Sequence, residues 1–421
     1  MTAPRIPAPA EPASTEPAST EPVSAGPVSA GPVSTEPAPA QPDADADTTP
    51  GLLYSEPEED LRAAVRSLLT DRGGPAAVLA DLESGRAYDT GLWRPLAVDM
   101  GTAGLLVPEK LGGQGASARE AAVVLEELGR SMAAVPYLTS AVLAVSALLD
   151  CETDRPEVTA PLAALAEGRS VGVLAVPLPT APGTLPEPSV RAAADGTLSG
   201  EVTGVADAVA ADLLLVPADG PYGYALYAVD ATADGVRTEP ATPLDLTRVP
   251  ARITLDGAAG RLLAGQDTAR AAVTGALLTG AGLLASEQLG IAEWCLAETV
   301  RHTAQRTQFG RPVGSFQALK HRMAALWLEV ASARAAARNA ADALATGSPD
   351  APVAVAVAQA YCAPVAVRAA EECIQLHGGI GMTWEHPAHL FLKRAKTDEI
   401  ALGTPGRHRE VLAGLVDIPA P

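Results

Sequence analysis

Apolar residues recur every three or four positions from about residue 55 to 152. Leu61, Ala64, Val65 and Leu68 form one such stripe, and Val123, Val124, Glu127 and Leu128 follow a second start at Ser117. This spacing predicts amphipathic helices. Between them GTAGLLVPEKLGGQG (101–115) is a glycine-punctuated loop. From 170 to 262 the pattern changes. Short runs at Val171–Val176, Asp212–Val216, Tyr224–Val229 and Arg252–Leu255 are separated by Gly, Pro and Asp, which predicts a small antiparallel β-domain. Beyond 265 the helical period returns. Leu289, Ala292, Leu296 and Val300 make one stripe, and Leu319, Met323, Leu326 and Val330 another. Ser315 and Asp350 are read as N-caps and Gly347 as a helix stop. The expected order is helices over 53–165, a β-domain over 166–264 and helices over 265–421, an α+β chain.

Residues 1–52 fall outside this plan. Residues 1–50 repeat EPAST, EPAST, EPVSA, GPVSA, GPVST and EPAPA, and proline at that frequency prevents helix and sheet alike, so a disordered tail is expected. The remaining length suffices for two or three packed units. Hydrophobic residues make up 48% and aromatics only 3%, so the core must be built from Ala, Val and Leu. The formal charge is −20, of which the tail carries −6. The rest argues against a broad nucleic-acid or anionic-membrane surface, while leaving room for a local basic site.

Cys151, Cys295, Cys362 and Cys373 are scattered with no C-x-x-C pair, as in a reduced intracellular protein. Cys295 and Cys362 sit within apolar helical patterns, where packing is their expected role. No signal-peptide pattern opens the chain. The strongest apolar stretch, 271–285, is broken by Gly and Thr and is short of a bilayer span. The expectation is a cytoplasmic protein with no membrane and no nucleic-acid partner.

Two segments carry the chemistry. RTQFGRPVGSFQ spans Arg306–Gln317, between two long helices. An arginine fork donates paired hydrogen bonds to a pyrophosphate, Phe309 could cover a ring, and Gln317 could reach nucleotide atoms. On composition alone the segment would read as a solvated basic turn. About sixty residues later QLHGGIG spans Gln375–Gly381, whose glycines permit close backbone approach; an ordinary glycine C-cap is the plain alternative. Together the two segments resemble the flavin-binding half of the acyl-CoA dehydrogenase family. The 101–115 loop and TWEHPAHLFLKRA (383–395) extend the resemblance, which covers roughly 55–418.

The resemblance implies an N-terminal helical domain, a middle antiparallel β-domain and a C-terminal four-helix bundle. It implies FAD held by Arg306, Phe309, Gln317, Gln375, Gly378, Gly379 and Thr404, with Arg306 and Gln317 reaching across a subunit interface. The implied reaction is α,β-dehydrogenation of an acyl thioester of CoA or of acyl carrier protein. A homo- or hetero-oligomer (dimer or tetramer) and an electron-transfer flavoprotein as acceptor are expected with it. Arg311, Lys320, His321 and Arg322 form a local basic cluster, suited equally to phosphates and to a solvated helix face.

The family's reaction needs a carboxylate to take the α-proton. Its usual Tyr-Glu-Gly-Thr is here Ala401-Leu402-Gly403-Thr404, and the alternative base position falls at about Gly280. Neither residue accepts a proton. Glu287 lies two turns on, within LLASEQLGIAEW, and reads as structural. The family's Thr-Glu-Pro-x-x-Gly-Ser-Asp motif should lie near 174–184, where the chain has AVPLPTAPGTL. Three readings follow: a subunit of a heteromeric dehydrogenase whose partner brings the base, a complete dehydrogenase with its base elsewhere, and a catalytically inactive structural or regulatory subunit.

Other patterns are set aside. Gly280-Ala-Gly282-Leu-Leu-Ala285 imitates a dinucleotide fingerprint but has no strand before it, so helix packing is expected. His377-Gly-Gly imitates an esterase oxyanion loop without a nucleophile elbow. His386 and His389, at i and i+3, lack an evident third metal ligand. Glu385 is read as a carboxylate favouring a helix N-terminus.

Overall fold

The structure is a computed structural model and describes residues 51–83, 88–185, 187–221 and 223–417. The proline-rich segment 1–50 lies outside the described residues. The first helices are α1 (Glu56–Asp71), α2 (Gly74–Glu83), α3 (Thr90–Trp93), α4 (Ala118–Ser131), α5 (Val145–Leu149) and α6 (Pro156–Ala166). Two are started by reciprocal capping boxes, Ser55 with Glu58 on α1 and Ser117 with Glu120 on α4, each satisfying N–H groups that a helix start leaves unpaired.

The middle region holds β1 (Gly172–Leu174), β2 (Val190–Ala192), β3 (Thr197–Ala206), β4 (Leu213–Gly220), β5 (Gly223–Asp230), β6 (Val236–Pro240), β7 (Pro250–Ala259) and β8 (Arg261–Ala264). They form one sheet in the order β6-β7-β3-β2-β4-β5-β8, with β1 also on β4. The expected antiparallel domain needs correction, because β1 and β2 both run parallel to β4. Alternation within a strand reports its faces and not its partner's direction. Parallel pairing here depends on the long excursion from β1 through β2 and β3 before β4 returns. Alternate residues of β4 enter two different cores: Leu213 and Leu215 join the helical core, whereas Leu214 and Val216 join a core inside the β-domain.

The C-terminal region consists of α7 (Gln266–Gln305), a two-strand ribbon β9 (Thr307–Gln308) and β10 (Arg311–Pro312), α8 (Gln317–Ala345), α9 (Ala351–His377), α10 (Ala388–Ile400) and α11 (Pro405–Leu415). The expected four-helix bundle is modified in its fourth member, which is split between α10 and α11. The break falls where Leu402 (φ 54) and Gly403 (φ 105) leave the helical region. Asp350 occupies the N-cap of α9 without a side-chain bond, and Gly347 follows α8 at φ 61 as expected. Ser315 caps nothing: Phe316 holds the N-cap of α8, and the Ser315 hydroxyl is buried without a partner.

Helix α7 is the axis of the molecule. It crosses α4 so closely that a Cβ on Gly290 would fall 1.9 Å from the Glu126 carbonyl, and one on Gly129 2.2 Å from that of Glu287. Only glycine fits either position. By length and composition α7 and the segment Ala351–Met382 could cross a membrane, but their most apolar windows are 61% and 67% buried inside the protein. That burial marks core helices, so the 271–285 stretch belongs to a helix far longer than its apolar run suggested.

A buried ion network joins the β-domain to α7 and α10. Arg248, between β6 and β7, reaches Glu287 on α7 at 2.8 Å and Asp398 on α10 at 2.6 Å. Arg394 on α10 bonds Asp245 at 2.5 Å, the Thr247 carbonyl at 2.8 Å, and Glu287. Burial and the neighbouring Glu287 push the Asp398 carboxyl well above the usual range. Each of the three carboxylates is thus held by at least one of the two guanidiniums. Removing one member leaves an uncompensated buried charge. Arg248→Ala should therefore lose about 3–5 kcal/mol of unfolding free energy in denaturant titration, and a loss under about 1 kcal/mol would contradict this account.

Candidate functional site

Two exposed segments project from neighbouring helix ends. At the end of α7, the Arg306 N–H donates to the His302 carbonyl at 2.8 Å, and the chain turns into the β9–β10 ribbon. Its tip places both Phe309 (φ 52) and Gly310 (φ 73) in the left-handed region, the geometry of a tight hairpin. For an aromatic residue that conformation costs about 1 kcal/mol or more. Phe309 is 90% exposed, with its ring centroid 6.1 Å from that of Phe316 in an edge-on arrangement. Arg311 lies over the Phe316 ring at 3.8 Å. Arg306 and Gln317 are exposed, and neither side chain has a hydrogen-bond partner among the described residues.

At the end of α9, Gly378 adopts φ 65 and ψ −139, which an L-residue avoids, and opens a short 3-10 turn, Gly378–Met382. Gly378 and Gly379 have open space where side chains would stand. Gln375 is exposed and also without a side-chain partner among the described residues. The His302 and His377 rings, 4.2 Å apart, tie the two helix ends together. Six of the seven residues expected to hold flavin thus lie on these two segments. Free donors and an open glycine backbone suit the phosphates and polar edges of a flavin nucleotide.

Thr404 does not join them. Its hydroxyl accepts the Arg407 N–H as the N-cap of α11, past the C-terminal end of α10. There the two expected base positions meet. Leu402 is fully buried, and its Cδ1 lies 3.1 Å from the point where a Cβ on Gly280 would stand. The Leu143 Cδ2 is 2.3 Å from that same point. Leucine side chains therefore fill the volume that a base would enter. The Leu402 N–H donates to the Leu178 carbonyl at 2.8 Å, and the Leu178 N–H donates to the Gly204 carbonyl at 2.9 Å. Leu178, within AVPLPTAPGTL, therefore spans from strand β3 to the α10–α11 break. On the far side His408 bonds the Leu402 carbonyl at 3.0 Å. Glu287 is held below the usual carboxylate range: burial raises it, and Arg248 and Arg394 more than offset that. It is structural, as its sequence setting suggested.

Sequence reasoning missed one cluster. His386 does not pair with His389, whose ring packs against Trp384 at 4.5 Å. Instead the Glu298 Oε1 lies 3.3 Å from His386 Nε2 and 3.6 Å from His377 Nε2. These three atoms lie within 4.8 Å of one another, a spacing that a metal would accept. Arg301 already occupies the Glu298 carboxylate, and His386 Nδ1 accepts the Ala388 N–H at 3.2 Å, which leaves the proton on Nε2. The trio therefore reads as a hydrogen-bonded charge cluster. Eighty-eight residues separate Glu298 from His386, so no local spacing could reveal it. Glu385 lies in the turn ahead of α10 rather than in its first helical turn.

Comparison with known proteins places this arrangement. Family models for the acyl-CoA dehydrogenase N-terminal and C-terminal domains match residues 55–155 and 270–415. Acyl-CoA dehydrogenase IpdE2 of Mycobacterium tuberculosis is 35% identical over 360 residues, covering 86% of this chain and 96% of the relative. Acyl-CoA dehydrogenase FadE27 of the same organism is 35% identical, covering 79% and 90%. The ChsE4-ChsE5 complex from Mycobacterium tuberculosis superposes with a TM-score of 0.75 at 31% identity, over 88% of this chain and 100% of the other. Butyryl-CoA dehydrogenase from Megasphaera elsdenii shares the fold, with a TM-score of 0.78 at 23% identity, over 86% and 99%. The chain belongs to the acyl-CoA dehydrogenase family, flavin-dependent oxidoreductases acting on CH–CH donors.

The filled centre makes a direct prediction. Leu402→Glu would bury an unpaired carboxylate among leucines and should cost about 3 kcal/mol or more in denaturant titration of the chain alone. A variant as stable as the parent, within about 0.5 kcal/mol, would mean that the centre is open.

Proposed function

We propose that this chain is one subunit of a heteromeric acyl-CoA dehydrogenase. In this reading it lends contacts to FAD while a homologous partner supplies the catalytic carboxylate. The observation that carries the reading is the contrast between its two halves. The leucine-filled junction of Leu402, Gly280 and Leu143 offers no base, and Leu178 ties it to strand β3. The segments bearing Arg306, Phe309, Gln317, Gln375, Gly378 and Gly379 are open, with donors unspent. A second chain is favoured by the apolar surface around them: Val300, Trp327, Leu328, Met382 and Trp384 are each at least 47% exposed. Apolar exposure of that kind marks an interaction surface. The solved ChsE4-ChsE5 complex is a two-component relative of this chain, which supports the same reading.

The bound flavin would accept the β-hydride of an acyl thioester. Arg306, with its planar fork, would bind the pyrophosphate, and Gln317 and Gln375 would orient the nucleotide. The Gly378–Gly379 backbone would approach without a side chain in the way. Phe309 would shield the site from water at the subunit boundary. Thr404, at the start of α11, is not assigned a flavin contact in this reading. Removal of the α-proton falls to the partner, because neither Leu402 nor Gly280 can hold one. Electrons would pass to an electron-transfer flavoprotein, and with four buried cysteines in the free form we place the protein in the cytoplasm.

The test is co-expression with a homologue that carries Glu at the Leu402 position. The complex should hold one FAD per pair of chains, and Arg306→Ala or Gln375→Ala should weaken FAD about tenfold in fluorescence titration. Two flavins per pair, or variants that bind FAD like the parent, would count against the assignment.

A further inference from the structure

We propose that His377 is a positioning residue for the flavin contacts: held as an imidazolium against Glu298, it locks the ends of α7 and α9 so that Arg306 and the Gly378–Gly379 turn present to one ligand. The inference rests on the reading that these segments contact FAD, and deepens it.

His377 is the last residue of α9, immediately before Gly378, and its side chain is fully buried. Its Nδ1 lies 2.6 Å from the Cys373 carbonyl, which can only accept, so Nδ1 carries a proton. The Nε2 is then decided by its surroundings. It is buried, has no hydrogen-bond partner, and faces the Glu298 Oε1 at 3.6 Å. A bare Nε2 would set its lone pair against a carboxylate oxygen; a proton there turns repulsion into an ion pair.

The groups around it come from three elements. Helix α7 contributes Glu298, Arg301, His302 and the Cys295 thiol. Cys373 lies one turn back on α9, and His386 stands in the turn before α10. Arg301 and His386 share the Glu298 carboxylate. Burial pushes the Glu298 carboxyl up, but the facing His377 ring and the bonds from His386 and Arg301 more than offset it and hold it well below its usual range. The His377 ring lies between two others, His302 at 4.2 Å and His386 at 4.3 Å. Burial and the charge of His377 lower His302, whose ring stacks on that of His377. The His302 carbonyl in turn holds the Arg306 N–H. One cluster thus connects the backbone of Arg306 to that of Gly378.

The direction of the pH effect follows. Burial alone would lower His377, but the Cys373 thiol beside its Nδ1 and the facing Glu298 carboxylate raise it to about 10. A raised histidine confers its stabilisation fully below the ordinary 6.5 and loses it as pH climbs through about 10. Deprotonation breaks the ion pair, loosens the two helix ends and weakens FAD.

The experiment titrates FAD into the complex of this chain with its Glu-bearing homologue, from about pH 6.5 to about pH 10. The parent should lose about tenfold in affinity across that range. His377→Gln should bind about tenfold more weakly at the low end and show no slope. Arg306→Ala should be weak throughout yet keep the parent's slope. If Arg306→Ala weakens FAD while His377→Gln keeps the parent's affinity and slope, the positioning role is overturned and the flavin contacts stand. If Arg306→Ala binds like the parent, the contact reading itself fails. Deuterium exchange at the histidine C2 positions needs no variant: His377 should titrate well above 6.5, and an ordinary value overturns the proposal. A stoichiometric transition metal whose removal weakens FAD would also overturn it, by making the cluster a metal site.

Discussion

Arg248 and Arg394, locked against Glu287, Asp245 and Asp398, fix the β-domain, the long axial helix and the helix after the glycine turn in one frame. Two buried guanidiniums can be accommodated only if every donor finds an oxygen, so the three elements have almost no freedom to slide. The register of α10 follows from this, and with it the place where α10 must stop. Leu402 lies two residues past that stop. Its left-handed backbone, its bond to Leu178 and its contact with Gly280 are all consequences of a frame set more than a helical turn away.

That frame leaves two unlike ends. At one end of α10 the β-domain, α7 and α11 converge on a packed apolar junction, where the Leu402 side chain is fully buried. At the other end the α7 and α9 termini splay two polar, strained and glycine-rich segments into the open. The separation along α10 fits the proposed role, in which the open end is offered to another chain.

The three-part order of elements was legible because the hydrophobic period changes twice, at about residues 170 and 265. The placing of Arg306, Gln317, Gln375 and the two glycines on two neighbouring helix ends followed from short, unusual spacings that carry both segments. Other features were not. Parallel pairing of β1 with β4 leaves no trace in strand alternation, and the split of the fourth helix depends on two backbone angles at Leu402 and Gly403. The Glu298–His377–His386 cluster draws on residues tens of positions apart. Sequence spacing suggested His389 as the neighbour of His386, whereas folding turned it towards Trp384. The cap that Thr404 provides for α11 was not read from the register that named it. The coincidence of Leu402 with Gly280, two separate questions in the sequence, became one question only in three dimensions.

The most direct test is anaerobic flavin bleaching. The chain is purified alone and together with a Glu-bearing homologue, each is loaded with FAD, and visible absorbance is followed as an acyl-CoA is added. The account predicts no bleaching by the chain alone and full bleaching by the pair, lost when the partner's glutamate is replaced by glutamine. A chain that bleaches its own flavin unaided would contradict it.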